Sequence, residues 1–206
     1  MIVTDIVEYT KAKYKIFIDG EFAFVLYKGE LRQFNIRKGE ELDEDAHSKI
    51  LEEILPKRAK LRAMHLLEKR PYTEKVLRDK LKESFYGEEV IDQAIDYLKG
   101  YKYIDDYSYA CQYLYTYSGT KTVKKMEQDL MIKGIKKDTI REAIESCKDA
   151  GELVDEKAMI RDLLRKKNYS AKESTPKDRN KIMNYLYNKG FSIDNIRREM
   201  NFDEDF

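Results

Sequence analysis

Few residues in this chain have the type and spacing that catalysis or metal binding requires. The adjacent carboxylates Asp105 and Asp106 could bind a metal ion, but acidic residues before a helix also cap its free amide groups, and we favour that role. His47 and His65 have no second ligand at a useful spacing, so we expect no zinc site. Phosphate-loop, GxSxG and HExxH motifs do not occur in the sequence. We therefore predict a protein that is not an enzyme and has no catalytic residues, metal or cofactor.

Basic side chains are the better candidates, because clusters of lysine and arginine can bind phosphate or an acidic partner. They are concentrated at the start of the helical region and in the middle of the chain. The alternative for each of them is a solvated helix face. The candidate contact residues are Lys57, Arg58, Lys60, Arg62, Arg70, Arg78, Lys121, Lys124, Lys125, Lys133 and Lys137.

Tyrosine is unusually frequent, and seven of the 16 tyrosines fall within the 17 residues 101–117. Tyr113 and Tyr117 share a helical face with apolar residues, which favours a packing role. Tyr115 points elsewhere, so we add it to the candidates as a residue that stacks on a base or anchors a protein interface. Cys111 and Cys147 lie 36 positions apart with no CxxC motif, and we interpret them as buried apolar residues rather than a disulfide or metal pair.

The composition is typical of a charged helical protein. Lysine and arginine number 40 against 39 aspartates and glutamates, and charged residues make up 38% of the chain. No apolar run approaches the ~18 residues of a membrane-spanning helix. The first residues also lack the pattern of a signal peptide, so we expect a cytoplasmic protein. Only nine glycines and three prolines occur, which favours helices over a loop-rich β fold.

The first 45 residues nevertheless alternate between apolar and polar side chains, as strands do. The Asp19-Gly20 pair between two alternating segments is a strong hairpin signal. We predict a small antiparallel sheet that continues through Phe34 and Ile36. From residue 45 the period becomes helical, and we expect a break at Pro56.

Nine predicted helices follow Pro56 and repeat in threes. Leu130, Lys133, Gly134 and Ile140 have the same spacing as Leu186, Lys189, Gly190 and Ile196, and a related set begins at Leu81. The glycine predicts a left-handed cap after each middle helix. Phe85 replaces it in the first repeat, where we expect a different cap geometry. A further signal, Thr175-Pro176, predicts an N-cap and first helical residue.

The fold class is therefore mainly α: an elongated tandem array of three three-helix repeats with a small N-terminal antiparallel β extension. We predict the β-rich extension with a linking helix at 1–55 and the repeats at 56–104, 105–154 and 155–206.

The helical region resembles the RecX family of regulators of the RecA recombinase. The resemblance rests on Ala63 to Leu67, Arg70, Thr73, Leu77 and Leu81, then Tyr103-Ile104-Asp105-Asp106, Tyr109-Ala110, Gly119, Leu130 and Lys133-Gly134-Ile135, within about residues 59–196. Phe85 stands where a glycine is usual, and Tyr117 where we would expect an arginine. The resemblance implies a monomeric regulator that binds RecA filaments on single-stranded DNA and inhibits the RecA ATPase, strand exchange and coprotease activity.

A second hypothesis is a direct nucleic-acid-binding protein whose three-helix units act like helix-turn-helix modules. It predicts a steep salt dependence of binding to single-stranded or double-stranded DNA without RecA. The formal net charge of +1 favours the first hypothesis.

Overall fold

A computed structural model describes residues 1–200, which fall into two compact units. The first unit is Met1–Asp105, and the second begins at Asp106. The first unit opens with strands β1 (Val3–Thr10), β2 (Lys13–Ile18) and β3 (Glu21–Tyr27) in an antiparallel sheet of order β1-β2-β3. Asp19 and Gly20 have φ angles of 50° and 90°, as a tight hairpin of this kind requires, so the predicted hairpin is confirmed.

The predicted continuation of the sheet through Phe34 and Ile36 is wrong. Residues Lys28–Gln33 form a short helix, α1, which Phe34 ends. The Tyr27 amide at its start donates a 2.7 Å hydrogen bond to the Glu30 carboxylate. Leu31 and Phe34 both contact the core, and their separation of three residues suits one face of a helical turn.

The predicted break at Pro56 is also wrong, because the chain is helical from Glu44 to Leu67. Helix α2 (Glu44–Lys49) continues through a π-helical turn (Ile50–Ile54) into α3 (Leu55–Leu67). Proline has no amide hydrogen, and its ring crowds the carbonyl four residues earlier. The chain accommodates it by widening one turn, so that the Leu55 amide donates to the carbonyl of Ile50, five residues back.

Helices α4 (Glu74–Glu83) and α5 (Glu88–Gly100) complete the first unit. The sheet and α3 to α5 share one hydrophobic core, in which Ile16 and Phe24 lie with Ala59, Leu77 and Ile95. The N-terminal strands are therefore built into the first helical repeat. A three-stranded sheet of this size is marginal by itself, and the shared core explains how it is stabilised.

The second unit contains two hydrophobic cores, one for each set of three helices. Helices α6 (Asp106–Tyr117), α7 (Val123–Ile132) and α8 (Lys137–Asp149) surround Leu114, Leu130 and Ile140. Helices α9 (Glu156–Lys166), α10 (Pro176–Asn188) and α11 (Ile193–Met200) surround Leu186 and Ile196. The chain is thus mainly helical with a small antiparallel sheet, as predicted.

The middle helix of each set begins with a threonine cap. The hydroxyls of Thr73, Thr122 and Thr175 accept hydrogen bonds from the amide three residues later, at 3.2 to 3.3 Å. Thr175-Pro176 was predicted as such a start, and the structure confirms it.

The cap after each middle helix is also the same, so the expectation of a different geometry at Phe85 is wrong. Phe85 has a φ of 66° and Gly134 one of 87°, and both lie in the left-handed region. Their amides donate to Lys82 and Met131, three residues back, at 2.9 Å. A side chain costs about 1 to 2 kcal/mol in this conformation. The Phe85 ring offsets that cost by contacting Tyr9 and Phe22 of the sheet, with centroids 5.1 and 5.9 Å away.

Candidate contact surfaces and family

Arg58 lies inside the first unit, not on an open surface. Its side chain is 17% exposed, and one guanidinium nitrogen lies 2.6 Å from the Glu30 carboxylate. The other donates a 2.6 Å hydrogen bond to the Val25 carbonyl, and the group stacks over the Tyr27 ring at 4.9 Å. Arg58 thus connects α3 to the edge of β3 and to α1. Its guanidinium is paired inside the unit with the Glu30 carboxylate and the Val25 carbonyl.

Arg78 also binds within the first unit. It contacts Glu74 at 3.0 Å and Asp92 at 2.6 Å, and Lys99 lies 2.8 Å from the second oxygen of Glu74. Burial alone would raise the pKa of Glu74, but the hydrogen bonds from Lys99 and Arg78 outweigh it and lower the pKa. This network links α4 to α5, and Arg78 is less available to a partner than the sequence suggests.

The remaining cations of the first unit are nearer to solvent. Lys57 and Arg62 are exposed on α3, whereas Lys60 is half-buried with its ammonium 5.0 Å from the Tyr97 ring centre. Arg70 is exposed, donates to the Tyr72 hydroxyl at 2.9 Å and stacks over that ring. Lys57 and Arg62 are therefore the open cations among the six candidates of this unit.

A row of tyrosines runs along α6 in the second unit. The rings of Tyr109, Tyr113 and Tyr117 follow one another at i, i+4 spacing, with centroids 6.5 and 4.5 Å apart. Two lysines cover the row. Lys121 lies 4.3 Å from the Tyr117 ring centre and 5.3 Å from that of Tyr113, and Lys133 lies about 6 Å from Tyr109 and Tyr113. The packing role expected for Tyr113 is confirmed, because this residue packs against the core of α6 to α8. It is wrong for Tyr117, which is 37% exposed.

Asp129 of α7 holds the centre of this row together. Its carboxylate accepts hydrogen bonds from the Tyr113 hydroxyl at 2.9 Å and from the Lys121 ammonium at 2.7 Å. The bond from Lys121 lowers the pKa of Asp129, and the reciprocal bond to Asp129 raises the pKa of Lys121. Lys121 is therefore a fixed cation, oriented by its neighbours before any partner binds.

The other candidates of this unit are more exposed. Lys124 and Lys125 lie on the open side of α7, and Lys125 reaches Asp129 only at 3.8 Å. Lys137 is exposed at the first turn of α8. The side chain of Tyr115 is 67% exposed, away from the tyrosine row.

A groove of about 450 Å³ lies beside Lys121 and Lys125, between the two helix sets of the second unit. Its lining also includes Lys166 and Lys189, and its carboxylate, Asp162, lies 2.7 Å from Lys166. We refer to this site as the lysine groove. The lining carries more positive than negative charge, which suits an anionic ligand.

Hydrogen bonds close the junction beneath the lysine groove. The Glu156 carboxylate accepts a 3.0 Å bond from the Val123 amide, and the Thr122 hydroxyl donates to the Lys189 carbonyl at 3.4 Å. Gly190 lies against Thr122, where a Cβ atom would come within 2.6 Å of the threonine oxygen. Helix sets α6–α8 and α9–α11 are thus directly bonded to each other.

Comparisons with known proteins identify the family. The RecX model for the first three-helix domain matches residues 59–98, and the model for the third three-helix domain matches residues 155–200. A regulatory protein RecX from Caldanaerobacter subterraneus subsp. tengcongensis is 32% identical over 98% of this chain and 99% of its own length. The chain belongs to the RecX family. A second RecX, from Clostridioides difficile, is 34% identical over 92% of this chain and 90% of its own.

Solved RecX structures agree with the fold. A crystal structure of regulatory protein RecX superposes with a TM-score of 0.63 at 28% identity and covers 98% of both chains. RecX from Lactobacillus salivarius gives a TM-score of 0.61 at 27% identity over 72% of this chain and 98% of its own. Within residues 1–200 of this RecX family member, no helix is both long and apolar enough to cross a membrane.

Sequence reasoning missed two lysines of the groove, Lys166 and Lys189. A signal for Lys189 was present, because the repeat aligns it with the candidate Lys133. The structure places both Lys133 and Lys189 over tyrosine rings. The Lys189 ammonium lies 5.2 Å from the centre of the Tyr185 ring. Lys166 has no such counterpart, and only the tertiary structure, which places residues of α7 and α9 around one groove, brings it there.

Proposed function

We propose that this RecX family regulator binds RecA filaments on single-stranded DNA and inhibits the RecA ATPase, strand exchange and coprotease activity. It acts in the cytoplasm as a monomer and performs no chemistry of its own. Family membership over nearly the whole chain is the observation that carries the proposal, since the relatives are named as regulatory proteins. The repeated three-helix sets support it, because several modest contacts on one polymer add up to strong binding.

We assign the contact to the exposed cations of each unit. These are Lys57 and Arg62 in the first unit, with Lys60 and Arg70 beside them, and in the second unit Lys124, Lys125, Lys137 and the aromatic Tyr115. The half-buried Lys133, which lies over the tyrosine row, is assigned to the same contact. Lys121 contributes as a fixed charge at the edge of the lysine groove. Arg58 and Arg78 act indirectly, by holding α3, α4 and α5 in place.

The test is the single-stranded-DNA-dependent ATPase of purified RecA with the full chain added below stoichiometric amounts. We expect a fall in ATP hydrolysis and in strand exchange. A variant carrying Lys124→Glu and Lys125→Glu should inhibit less. The matched control carries Lys11→Glu and Lys28→Glu, two exposed lysines of the first unit, and should inhibit as the wild type does. Unchanged ATPase and strand exchange with the wild-type chain would refute the proposal.

The lysine groove specifically favours the second hypothesis, direct nucleic-acid binding. Its four lysines include two, Lys121 and Lys189, that lie over tyrosine rings, and basic grooves beside aromatic rings suit single strands. Binding of a labelled oligonucleotide at low salt without RecA tests it. Affinity should fall by about one log unit per log unit of salt for each phosphate contacted. Absence of binding at low salt rejects this hypothesis and leaves the first one standing.

A further inference from the structure

Three tyrosines of the first unit form a row of contacting rings at the end of α5. The ring centres of Tyr97 and Tyr101 lie 4.7 Å apart, and those of Tyr101 and Tyr103 lie 6.1 Å apart. The Tyr101 and Tyr103 rings are stacked, with an angle of 23° between their planes. We refer to these three residues as the α5 ladder.

The two outer rings of the α5 ladder are open to solvent. Tyr101 is 64% exposed and Tyr103 is 53% exposed, whereas Tyr97 is half-buried and packs against the core of the unit. Burial of an aromatic ring is favourable, so two neighbouring rings left in solvent indicate a surface that a partner covers. Tyr97 anchors the inner end of the ladder and leaves the outer rings to that partner.

Hydrogen bonds fix the backbone that carries the exposed rings. The Tyr103 amide donates to the Leu98 carbonyl at 2.8 Å. The Lys102 amide donates to the Lys99 carbonyl at 2.9 Å, and Lys102 has a φ of 56°, so the helix ends in a Schellman cap. Ile104, directly after the ladder, is buried in the core. The backbone beneath the rings is therefore ordered before a partner binds, which lowers the entropy cost of binding.

Lysines lie beside the α5 ladder. The Lys60 ammonium of α3 is 5.0 Å from the centre of the Tyr97 ring, and the exposed Lys57 lies one turn earlier on the same helix. Lys102, between the two outer tyrosines in the sequence, is also exposed. Aromatic rings next to cations suit a single strand of nucleic acid, because the rings stack on bases while the cations attract phosphates.

Carboxylates limit the electrostatic part of such binding. Asp96 and Asp105 lie next to the ladder in the sequence, and both are exposed. Against Lys57, Lys60 and Lys102 they leave little net positive charge. Ring stacking must therefore supply most of the binding energy, which distinguishes the α5 ladder from the lysine groove.

We propose that the α5 ladder is a binding site for single-stranded nucleic acid, in which Tyr101 and Tyr103 stack on unpaired bases. Lys57 and Lys60 attract the phosphates of the same strand. Bases in a duplex already stack on one another, so duplex DNA does not offer the rings a free face. The site rests on the hypothesis of direct nucleic-acid binding and gives the first unit a contact of its own.

The experiment uses the purified full chain without RecA and a short oligothymidylate that carries 5-iodouracil. Ultraviolet light joins an iodouracil base to an aromatic ring stacked on it, and a peptide map identifies that ring. The expected product is linked at Tyr101 or Tyr103. An abasic strand with the same number of phosphates should bind at least about tenfold more weakly, because it cannot stack. Links confined to the second unit, or equal affinity for the abasic strand, would overturn the proposal.

Substitutions at these exposed positions separate the rings from their hydroxyl groups. Tyr101→Ala/Tyr103→Ala should weaken oligonucleotide binding at least about tenfold, whereas Tyr101→Phe/Tyr103→Phe keeps the rings and should stay within about twofold of the wild type. The matched control is Tyr187→Ala on α10, since Tyr187 is also 53% exposed, and it should bind as the wild type does. Equal affinities for the alanine and phenylalanine double variants would contradict stacking.

Failure of this site and failure of the proposed functions give different results. Links confined to the second unit reject the α5 ladder and leave direct nucleic-acid binding standing, whereas absence of any oligonucleotide binding at low salt rejects both. A link at the ladder without inhibition of the RecA ATPase supports the site and rejects only the RecA proposal. If the alanine double variant loses RecA inhibition but binds the oligonucleotide normally, the rings contact protein and the nucleic-acid site is wrong.

Discussion

Replacing Gly190 by alanine should destabilise the second unit more than the same replacement at Gly151. Both glycines follow a helix in the left-handed region, with φ angles of 100° and 69°. This conformation costs an alanine about 1 to 2 kcal/mol. At Gly151 a Cβ atom would meet nothing within 4 Å, whereas at Gly190 it would lie 2.6 Å from the Thr122 hydroxyl oxygen. That hydroxyl caps α7 by accepting a bond from the Lys125 amide.

The magnitude follows from adding the two costs. Gly151→Ala carries only the backbone strain, so we expect a loss of about 1 to 2 kcal/mol. Gly190→Ala must also displace Thr122 from its capping position, and losing a threonine cap costs about 1 kcal/mol more. The expected total is therefore about 2 to 3 kcal/mol, with the disturbance centred on the first turn of α7.

Urea unfolding gives the two stability losses, and hydrogen exchange of the Lys125 amide locates the disturbance. Exchange at this amide should accelerate in Gly190→Ala and not in Gly151→Ala. The double variant Thr122→Ala/Gly190→Ala removes the hydroxyl, so its loss should fall short of the sum of the single losses by about 1 kcal/mol. Equal losses for the two glycine variants, or strict additivity in the double variant, would refute the reasoning.

Three other changes test the contacts that the structure revealed. Phe85→Gly relieves the left-handed strain but removes the ring that contacts Tyr9 and Phe22. We expect the free energy of unfolding in urea to fall by about 1 to 2 kcal/mol. A rise would show that the ring contributes less than its backbone strain costs. Arg58→Ala leaves the half-buried Glu30 carboxylate without its ion-pair partner and should cost about 3 kcal/mol, with part recovered in Arg58→Ala/Glu30→Ala. Asp129→Asn tests pH dependence. Because the hydrogen bond from Lys121 lowers the pKa of Asp129 in the folded state, its contribution is complete above the ordinary value of 3.8 and is lost as the pH falls through the lower folded value. As the pH is lowered, the melting temperature should fall less steeply for the variant than for the wild type. Parallel falls in the two proteins would contradict a stabilising role of the Asp129 carboxylate.

Local sequence patterns predicted much of the fold. The Asp19-Gly20 hairpin, the Thr175-Pro176 helix start and the apolar faces of the repeated helices all depend on residues a few positions apart. Their conformational preferences act in the chain before any tertiary contact forms. The same patterns carried the family resemblance that the comparisons confirmed.

The errors occurred where distant residues decide the local conformation. Phe85 alone predicts no left-handed cap, because the strain is unfavourable until Tyr9 and Phe22 cover the ring. The basic pattern at the start of α3 likewise contains no sign that Arg58 turns inward to Glu30, 28 positions away. In both cases the partner belongs to the N-terminal segment, and the shared core brings it near.

The sequence by itself therefore determined which segments become strands and helices, how the helices repeat and which family the chain belongs to. Only the tertiary structure decided which cations stay open to a partner and that four lysines line one groove. The reason is physical: short-range periodicity and capping are properties of neighbouring residues, whereas burial and ion pairing arise when folding brings together side chains far apart in the chain.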